Sequence, residues 1–464
     1  MTRHYAYLIA IAGAIGLIAL ALFLSLSGAK DPRPVGTIED VLAFHERDDF
    51  NVLFILVDTL RADHLSAYGY ERPTSPAIAS LAADGIRFDR HVSQSSWTKC
   101  SMASLWTGLY PARSRVLRSP DALPEEATTP AEIFSDAGFH TAGIWRNGWI
   151  GPNFGFGQGF DTYTQPLSKN RNPSAGVDQP NAALIGTDDD LLKSAISFLR
   201  SNGHERWFLY LHMMDVHQYV YTPDEALFGT TYLDIYDNSI RWVDSRIEVL
   251  LSELDRRGLR DNTLIIFASD HGEAFGEHGS EGHARDIYGE VTETPLILSF
   301  PFRLDPGIVV EAQTANVDLW PTVLDFIGLS PLPDSDGRSR VADIVAAAQG
   351  VEDSSEEQAV FSELDLTWGR DNEEPEPLLA VSRGDWRMFY RANRPDRLEL
   401  YDKINDPLEH NNLFGIRGDV TEELIPIARD HLEAPLPPWG EAASRIELDD
   451  MKIEQLRALG YGVQ

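Results

Sequence analysis

Three continuous apolar runs in the chain predict strands that are buried on both faces. They span Asn51–Val57, 208–212 and Thr263–Ala268. Runs of this kind, rich in β-branched residues, are typical of the central strands of a parallel sheet. Polar residues follow each run, namely Asp58 after the first, Asp215 and His217 after the second, and Asp270 and His271 after the third. Ligands of open α/β sheets bind at the carboxyl ends of the strands, so this edge is the expected functional site.

A helical pattern separates the second and third runs. Its apolar residues recur at three- and four-residue spacing at Ile240, Val243, Ile247, Leu250 and Leu254. Gly258 then supplies the residue type that commonly ends a helix. Alternating strands and helices predict an α/β fold with a mostly parallel central sheet flanked by helices.

The carboxyl-terminal quarter has a different pattern. After the acidic stretch 351–357, short apolar segments at 379–381, 386–390 and 398–401 alternate with turn residues. They predict a small antiparallel subdomain. A final helix is expected at 449–459. The predicted organisation is therefore an α/β domain over 50–345, a subdomain over 346–440 and a terminal helix within 441–464.

The amino terminus carries an apolar segment. Residues 5–26 include no charged side chain, and about 20 apolar residues suffice to cross a bilayer. We expect residues 1–29 to form a transmembrane anchor and 30–49 a polar tether, with the main domain outside the cytoplasm, in a periplasmic or extracellular compartment. The alternative is a cleaved secretion signal, for which Ser27-Gly28-Ala29 offers a cleavage site.

The composition and charge of the chain limit the classes of molecule that it is expected to bind. With 43% hydrophobic residues in 464, the chain can build a large core, and its single cysteine excludes an internal disulfide. The formal net charge is −33, from 72 acidic and 39 basic residues. Such a field disfavours nucleic acid as a partner. An anionic substrate would need local cations, which favours a metal in the site. The alternative is that the acidity serves only solubility.

Residues 97–108 carry the most specific motif, W-T-K-C-S-M-A-S-L-W-T-G. They resemble the nucleophile segment of the sulfatases, in which C-x-P-S-R opens the pattern and T-G closes it. Counting back from Thr107-Gly108 places Thr98 in the nucleophile position. A register that starts at Cys100 fails at both the proline and the arginine positions. The resemblance implies an alkaline-phosphatase-like α/β sandwich with a threonine nucleophile and no formylglycine.

A threonine changes the expected reaction. A formylglycine hydrate carries two hydroxyls, so one can expel the group that the other has accepted, whereas a threonine ester needs direct attack by water or another acceptor. Phosphoryl groups accept such a second in-line attack. We therefore expect hydrolysis or transfer of phosphate, phosphonate or phosphodiester esters. The alternatives are a sulfuric ester hydrolase and a non-catalytic binding protein of the same fold. Taken alone, Thr98 could also be a helix cap.

The resemblance also implies a metal site. Asp58, Thr98, Asp270 and His271 are the expected ligands of one divalent ion, Mn²⁺, Zn²⁺, Mg²⁺ or Ca²⁺. Thr59 stands where sulfatases carry a second aspartate, which removes one negative charge and puts a calcium site of the sulfatase type in doubt. In this departure the chain resembles the members of the alkaline phosphatase superfamily that have a threonine nucleophile.

Three histidines are candidates for contact with the substrate. His217 matches the sulfatase histidine that touches the ester, and His283 lies near the position of the family's substrate-binding lysine. Both could bind ester oxygens, and one could protonate the leaving group. His278 belongs to the same loop. The expected substrate is an anionic ester whose alcohol part is a lipid or glycan head group. The stretches 318–328 and 400–413 also resemble the family. His64, His204 and His212 are interpreted as structural.

Overall fold

The computed structural model describes residues 31–166, 186–351, 358–367, 374–440 and 444–446. The described residues from Gly36 onward belong to one compact unit. The two largest sheets among the described residues have eight and four strands.

The strands of the large sheet are β2 (Asn51–Val57), β3 (Ile86–Val92), β5 (His140–Trp145), β6 (Thr162–Thr164), β7 (Trp207–Met213), β8 (Thr263–Ala268), β11 (Leu296–Ser299) and β13 (Ile308–Ala315). Those of the small sheet are β14 (Val360–Asp365), β15 (Pro377–Arg383), β16 (Trp386–Tyr390) and β17 (Glu399–Asp402). The remaining strands have two residues each: β1 (Val35–Gly36), β4 (Asp121–Ala122), β9 (Ala274–Phe275), β10 (Glu281–Gly282), β12 (Arg303–Leu304) and β18 (Ser444–Arg445).

The α-helices in the described ranges are α1 (Ile38–Leu42), α2 (Pro76–Ala83), α3 (Thr98–Thr107), α4 (Pro111–Ser114), α5 (Pro130–Asp136), α6 (Asp188–Asn202), α7 (Tyr232–Arg257), α8 (Gly289–Thr292), α9 (Leu319–Phe326), α10 (Val341–Gln349) and α11 (Gly418–Leu432). Helix α7 contains the predicted periodic segment and ends at Gly258, whose φ of 64° is left-handed. This conformation suits glycine at a helix end.

The large sheet has the strand order β13-β3-β11-β8-β2-β7-β5-β6 and is mostly parallel, and the small sheet has the order β14-β15-β16-β17. Strand β2 pairs in parallel with β7 on one side and β8 on the other, whereas β11 is antiparallel to both β3 and β8. The small sheet is antiparallel throughout. The predicted mixed α/β fold with a small antiparallel carboxyl-terminal sheet is therefore confirmed.

The side chains of β2 alternate between two cores. Val52, Phe54 and Leu56 pack into one core together with residues of α3, α5 and α9. Leu53, Ile55 and Val57 pack into the other, with residues of α2, α6 and α7. Because both faces of β2 are covered by helices, every position along the strand is apolar or buried, which explains the continuous run in the sequence.

Some sequence predictions concern residues outside the described ranges. The expected anchor at 1–29 and the terminal helix at 449–459 are among them, so both stay predictions. Where the structure is described, none of its helices combines the length and apolar composition needed to cross a membrane.

Candidate active site

The carboxyl-terminal edge of the large sheet brings together three expected metal ligands. Asp58 follows β2, and Asp270 and His271 follow the neighbouring strand β8. One carboxylate oxygen of each aspartate and one ring nitrogen of His271 lie within 4.8 Å of one another. All three residues are fully buried. The parallel pairing of β2 with β8 is what places these side chains side by side.

Thr98 joins this cluster at the first residue of α3. Its Oγ1 lies 3.1 Å from His271 Nε2 and accepts a hydrogen bond of 3.2 Å from Asn147 Nδ2. His271 Nδ1 lies 2.9 Å from the carbonyl oxygen of Gly272. A carbonyl only accepts, so Nδ1 carries the proton and Nε2 presents its lone pair to Thr98. The hydroxyl and this lone pair thus point into one site.

The cluster fits a divalent cation. Within the described part of the chain, Asp58 Oδ1 and Asp270 Oδ2 accept no hydrogen bond although both are buried. Burial alone would raise the pKa of Asp58, but the hydrogen bond from His212 and the neighbouring histidine rings hold it below its usual value. Burial and the Asp58 charge raise the pKa of Asp270 well above its usual value. Two buried carboxylates with opposed pKa shifts lack a counter-charge, which a cation would supply.

Thr59 takes no ligand role. Its Oγ1 donates to the carbonyl oxygen of Asp58 at 2.7 Å, and its backbone N–H donates to Asp270 Oδ1 at 3.2 Å. The residue therefore helps to orient the Asp270 carboxylate and adds no charge. The donor set of two carboxylates, an imidazole and a hydroxyl suits a cation that accepts mixed oxygen and nitrogen ligands.

Cys100 lies apart from this chemistry. Its side chain is buried, and burial raises the pKa of the thiol far above its usual value. A thiol of this kind is inert. The side chain that α3 presents to His271 belongs to Thr98, in keeping with the register predicted from the sequence.

Two residues that hold Asp58 were missed by the sequence analysis. Asn147 Nδ2 donates to Asp58 Oδ2 at 2.7 Å, and His212 Nε2 lies 2.9 Å from the same oxygen. His212 Nδ1 in turn contacts the Tyr210 hydroxyl at 2.6 Å. His212 is thus part of the site rather than only structural. Its position at the end of β7, beside β2, was the available signal.

Removal of the Asn147 amide is expected to impair the site without unfolding the protein. Asn147→Ala loses the contacts that orient both Asp58 and Thr98, so we expect activity to fall by about 10- to 100-fold, as is usual for groups that orient ligands. Steady-state kinetics and metal content measure the effect. Asn51→Ala is the matched control, because Asn51 is a buried asparagine at the opposite end of β2 whose Oδ1 accepts from Trp207 N–H. Equal activity losses in both variants would contradict the assignment.

His217 and His283 lie beside the cluster, as predicted. The His283 ring centroid is 4.6 Å from that of His271 and 5.0 Å from that of His217. Burial lowers the pKa of His283 to about 4. Burial likewise lowers the pKa of His217. Both side chains are therefore neutral imidazoles at pH 7.

His278 occupies a different environment. Its Nδ1 lies 2.7 Å from the Glu290 carboxylate and its Nε2 lies 3.0 Å from the carbonyl oxygen of Glu409. The ring stacks on Tyr288 at a centroid distance of 3.8 Å. Both ring nitrogens of His278 thus contact other groups. Its ring does not belong to the cluster formed by the rings of His217, His271 and His283.

Strained backbone conformations occur beside several parts of the site. Three non-glycine residues with left-handed backbones flank its parts: Thr59 (φ 60°) beside Asp58, Tyr219 (φ 53°) near His217, and Ala284 (φ 59°) beside His283. Such conformations cost about 1–3 kcal/mol each and persist where the surroundings impose them, commonly at functional sites.

Comparison with known proteins agrees with this geometry. The sulfatase family model matches residues 50–329, more than half of the chain. The carboxyl-terminal model of N-sulphoglucosamine sulphohydrolase matches residues 276–430. The protein therefore belongs to the sulfatase family, and it is a hydrolase acting on ester bonds.

Individual relatives are distant. The ulvan-active sulfatase of Formosa agariphila is 24% identical, over 87% of this chain and 83% of its own. A structure solved in complex with its substrate D-glucosamine-2-N,6-O-disulfate has a TM-score of 0.64 at 19% identity and covers 83% of this chain and 98% of its own. The phosphonate monoester hydrolase of Agrobacterium radiobacter has a TM-score of 0.63 at 21% identity and covers 86% of this chain and 100% of its own. At these identities the solved structures show a shared fold alone.

Proposed function

We propose that the protein hydrolyses sulfuric esters by using Thr98 as the nucleophile. The observation that carries the proposal is the contact of the Thr98 hydroxyl with His271 beside two unpartnered carboxylate oxygens, at the amino terminus of α3. A helix amino terminus favours an anion. The relatives that comparison finds are mostly named as sulfatases, which favours sulfuric esters over the phosphoric esters expected from the sequence.

The reaction has two steps in this proposal. The Thr98 oxygen attacks the sulfur, which forms an Oγ1–S bond and breaks the bond from sulfur to the alcohol oxygen. The proton lost by Thr98 is balanced by the proton that the leaving alcohol gains. Water then attacks the sulfur of the Thr98 sulfate, which releases sulfate and restores the hydroxyl.

Each residue of the site has a role in this reaction. Asp58, Thr98, Asp270 and His271 would hold one divalent cation, which would neutralise an ester oxygen and favour the ionised form of the Thr98 hydroxyl. Asn147 and His212 orient Asp58. His217 and His283 border the site and either bind ester oxygens or exchange protons with the reacting groups.

Phosphoric and phosphonic esters are the second candidate. Thr98 supplies only one hydroxyl, so the enzyme-bound ester must be resolved by direct attack, which phosphorus accepts readily. A phosphonate monoester hydrolase is among the solved structures of the same fold. We propose a sugar as the alcohol part of the substrate. The names of two relatives refer to carbohydrate sulfates, so sulfated sugars are the first esters to test.

A substrate panel together with trapping separates the two candidates. Purified protein is assayed with matched aryl sulfate, phosphate, phosphodiester and phosphonate esters and with sulfated sugars, and the peptide that contains Thr98 is weighed after rapid quenching. Preference for sulfate with a sulfuryl group on Thr98 supports the proposal. Preference for phosphorus esters with a phosphoryl group on Thr98 replaces it with the second candidate. Turnover without any modification of Thr98 would overturn covalent catalysis in both.

The amino-terminal anchor is a separate proposal. The uncharged stretch of residues 5–26 supports attachment to a membrane, with the catalytic domain outside the cytoplasm. Fractionation of cells that express the full chain, compared with a variant lacking residues 1–29, tests it. Equal recovery of both proteins in the fraction without membranes would contradict an anchor.

A further inference from the structure

Glu273 is a buried carboxylate that has no role in the reaction proposed above. Its side chain is 3% exposed, and its two oxygens lie 3.2 and 3.3 Å from His283 Nδ1. The Tyr219 side chain lies near the same carboxylate.

The fold fixes the place of this carboxylate. The backbone N–H of Glu273 donates to the carbonyl oxygen of Glu290 at 3.1 Å. Its carbonyl oxygen accepts from the buried guanidinium of Arg61, also at 3.1 Å. Both backbone groups of Glu273 are therefore hydrogen-bonded. These bonds fix the backbone from which its side chain reaches His283.

Tyr219 connects the surroundings of Glu273 to the surface. The hydroxyl oxygens of Tyr219 and Tyr232 are 2.7 Å apart, and Tyr232 is 43% exposed. The contact that orients His283 is the one between its Nδ1 and the Glu273 carboxylate.

The contact with Glu273 decides which nitrogen of His283 carries the proton. A neutral imidazole has one N–H and one lone pair, and a carboxylate at Nδ1 selects the tautomer with the proton on Nδ1. Nε2, which points in another direction from the ring, is then the nitrogen with the lone pair. In this state His283 accepts a proton and does not donate one from Nε2.

We propose that Glu273 is a positioning residue that makes His283 the base for the second step of the reaction. The inference rests on the proposed function, because only an ester on Thr98 requires direct attack by water. The water gives its proton to His283 Nε2 as its oxygen bonds to the sulfur or phosphorus. The bond from that atom to Thr98 Oγ1 breaks, and Nε2 gives the proton to this oxygen, which restores the Thr98 hydroxyl. The second proton of the water leaves with the released sulfate or phosphate and passes to solvent.

Glu273→Gln tests the role because it keeps the shape of the side chain and removes its charge. We expect steady-state kcat to fall by about 10- to 100-fold, the usual loss when a group that orients a histidine is removed. The first turnover is expected to stay fast, so a burst of alcohol close to one per enzyme should appear. The modified Thr98 peptide should accumulate in the quenched sample.

The controls separate structural damage from positioning. Glu281→Gln makes the same charge change at an exposed residue of β10 and should leave kcat and the burst unchanged. Tyr219→Phe removes the hydroxyl of a side chain near Glu273 and should give a smaller fall of the same kind. Metal content and the thermal unfolding midpoint of each variant show whether the fold is retained.

A spectroscopic measurement is independent of turnover. With ¹⁵N-labelled histidine, long-range ¹H–¹⁵N spectra should show His283 with the proton on Nδ1 in the unmodified protein and a changed tautomer in Glu273→Gln. A proton on Nε2 in the unmodified protein, or equal slowing of the burst and the steady state in Glu273→Gln, overturns the inference. If neither Glu273→Gln nor His283→Gln accumulates a modified Thr98, the proposed function fails. If only His283→Gln accumulates it, the inference about Glu273 fails alone.

Discussion

Thr98→Ala should lower turnover by about 10³-fold or more, because the variant has no oxygen with which to form the covalent ester. Asp58, Asp270 and His271 are unchanged in it, so it should still bind a divalent cation. The structure supports this separation, since Thr98 adds only one of four donor atoms to the cluster. Initial rates on the preferred ester and elemental analysis of the purified variant measure the two effects.

Two further variants make this result specific. Thr98→Ser retains a hydroxyl at the same position and should keep measurable activity. Thr107→Ala removes the other threonine of α3, whose hydroxyl donates to the carbonyl oxygen of Ala103, and should leave kcat close to that of the unmodified protein. Undiminished turnover by Thr98→Ala would exclude a threonine nucleophile.

The strands that could be predicted are those that helices cover on both faces. Asn51–Val57 and Thr263–Ala268 have the predicted bounds, and the third run extends to Trp207–Met213. By contrast, β3 alternates apolar with polar residues along Ile86–Val92 and has one exposed position, so it gave no continuous run. Strand β11 has only four residues. Its antiparallel insertion between β3 and β8 depends on pairing across the sheet, which periodicity along the chain does not contain.

The residues of the site also divide into those that could be predicted from the sequence and those that could not. Asp58, Asp270 and His271 could be predicted because each directly follows a recognisable strand, and Thr98 because its spacing to Thr107-Gly108 is specific. Asn147 follows β5, whose sequence His140–Trp145 mixes polar and small residues with apolar ones. Glu273 contacts His283, ten residues further along the chain, across the turn that holds β9 and β10. Contacts of this kind arise only from the folded arrangement.

The charge balance of the site links metal binding to stability. Asp58 is held in its charged form by Asn147 and His212, while Asp270 lies beside it with Oδ2 unpartnered among the described residues. Without a cation, ionisation of both carboxylates places two like charges in a buried site, which is costly. With a cation, the same two charges become its ligands. The Asp270 side chain thus destabilises the folded protein without metal and stabilises it when metal is bound.

Asp270→Asn is expected to reveal this reversal. The amide oxygen can still accept from the N–H groups of Thr59 and His271 at 3.2 and 3.0 Å, and the amide NH₂ replaces the unpartnered Oδ2. In the metal-free state the variant should therefore unfold at a higher temperature than the unmodified protein. The buried Asp270 carboxyl, whose pKa is raised, must either stay ionised beside Asp58 or take up a proton on folding, and the amide avoids both costs. Metal affinity should fall by about 100-fold or more, since a charged ligand is lost.

Thermal unfolding of both proteins, measured with chelator and with a series of Mn²⁺, Zn²⁺, Mg²⁺ and Ca²⁺ concentrations, provides the test. Cation should raise the midpoint of the unmodified protein, because a ligand that binds only the folded state stabilises it. The midpoint of Asp270→Asn should hardly respond, so the order of stability of the two proteins reverses as metal is added. A cation response of equal size in both would show that Asp270 is not a ligand. A lower midpoint of the variant in chelator would show that the carboxylate pair is not repulsive without metal.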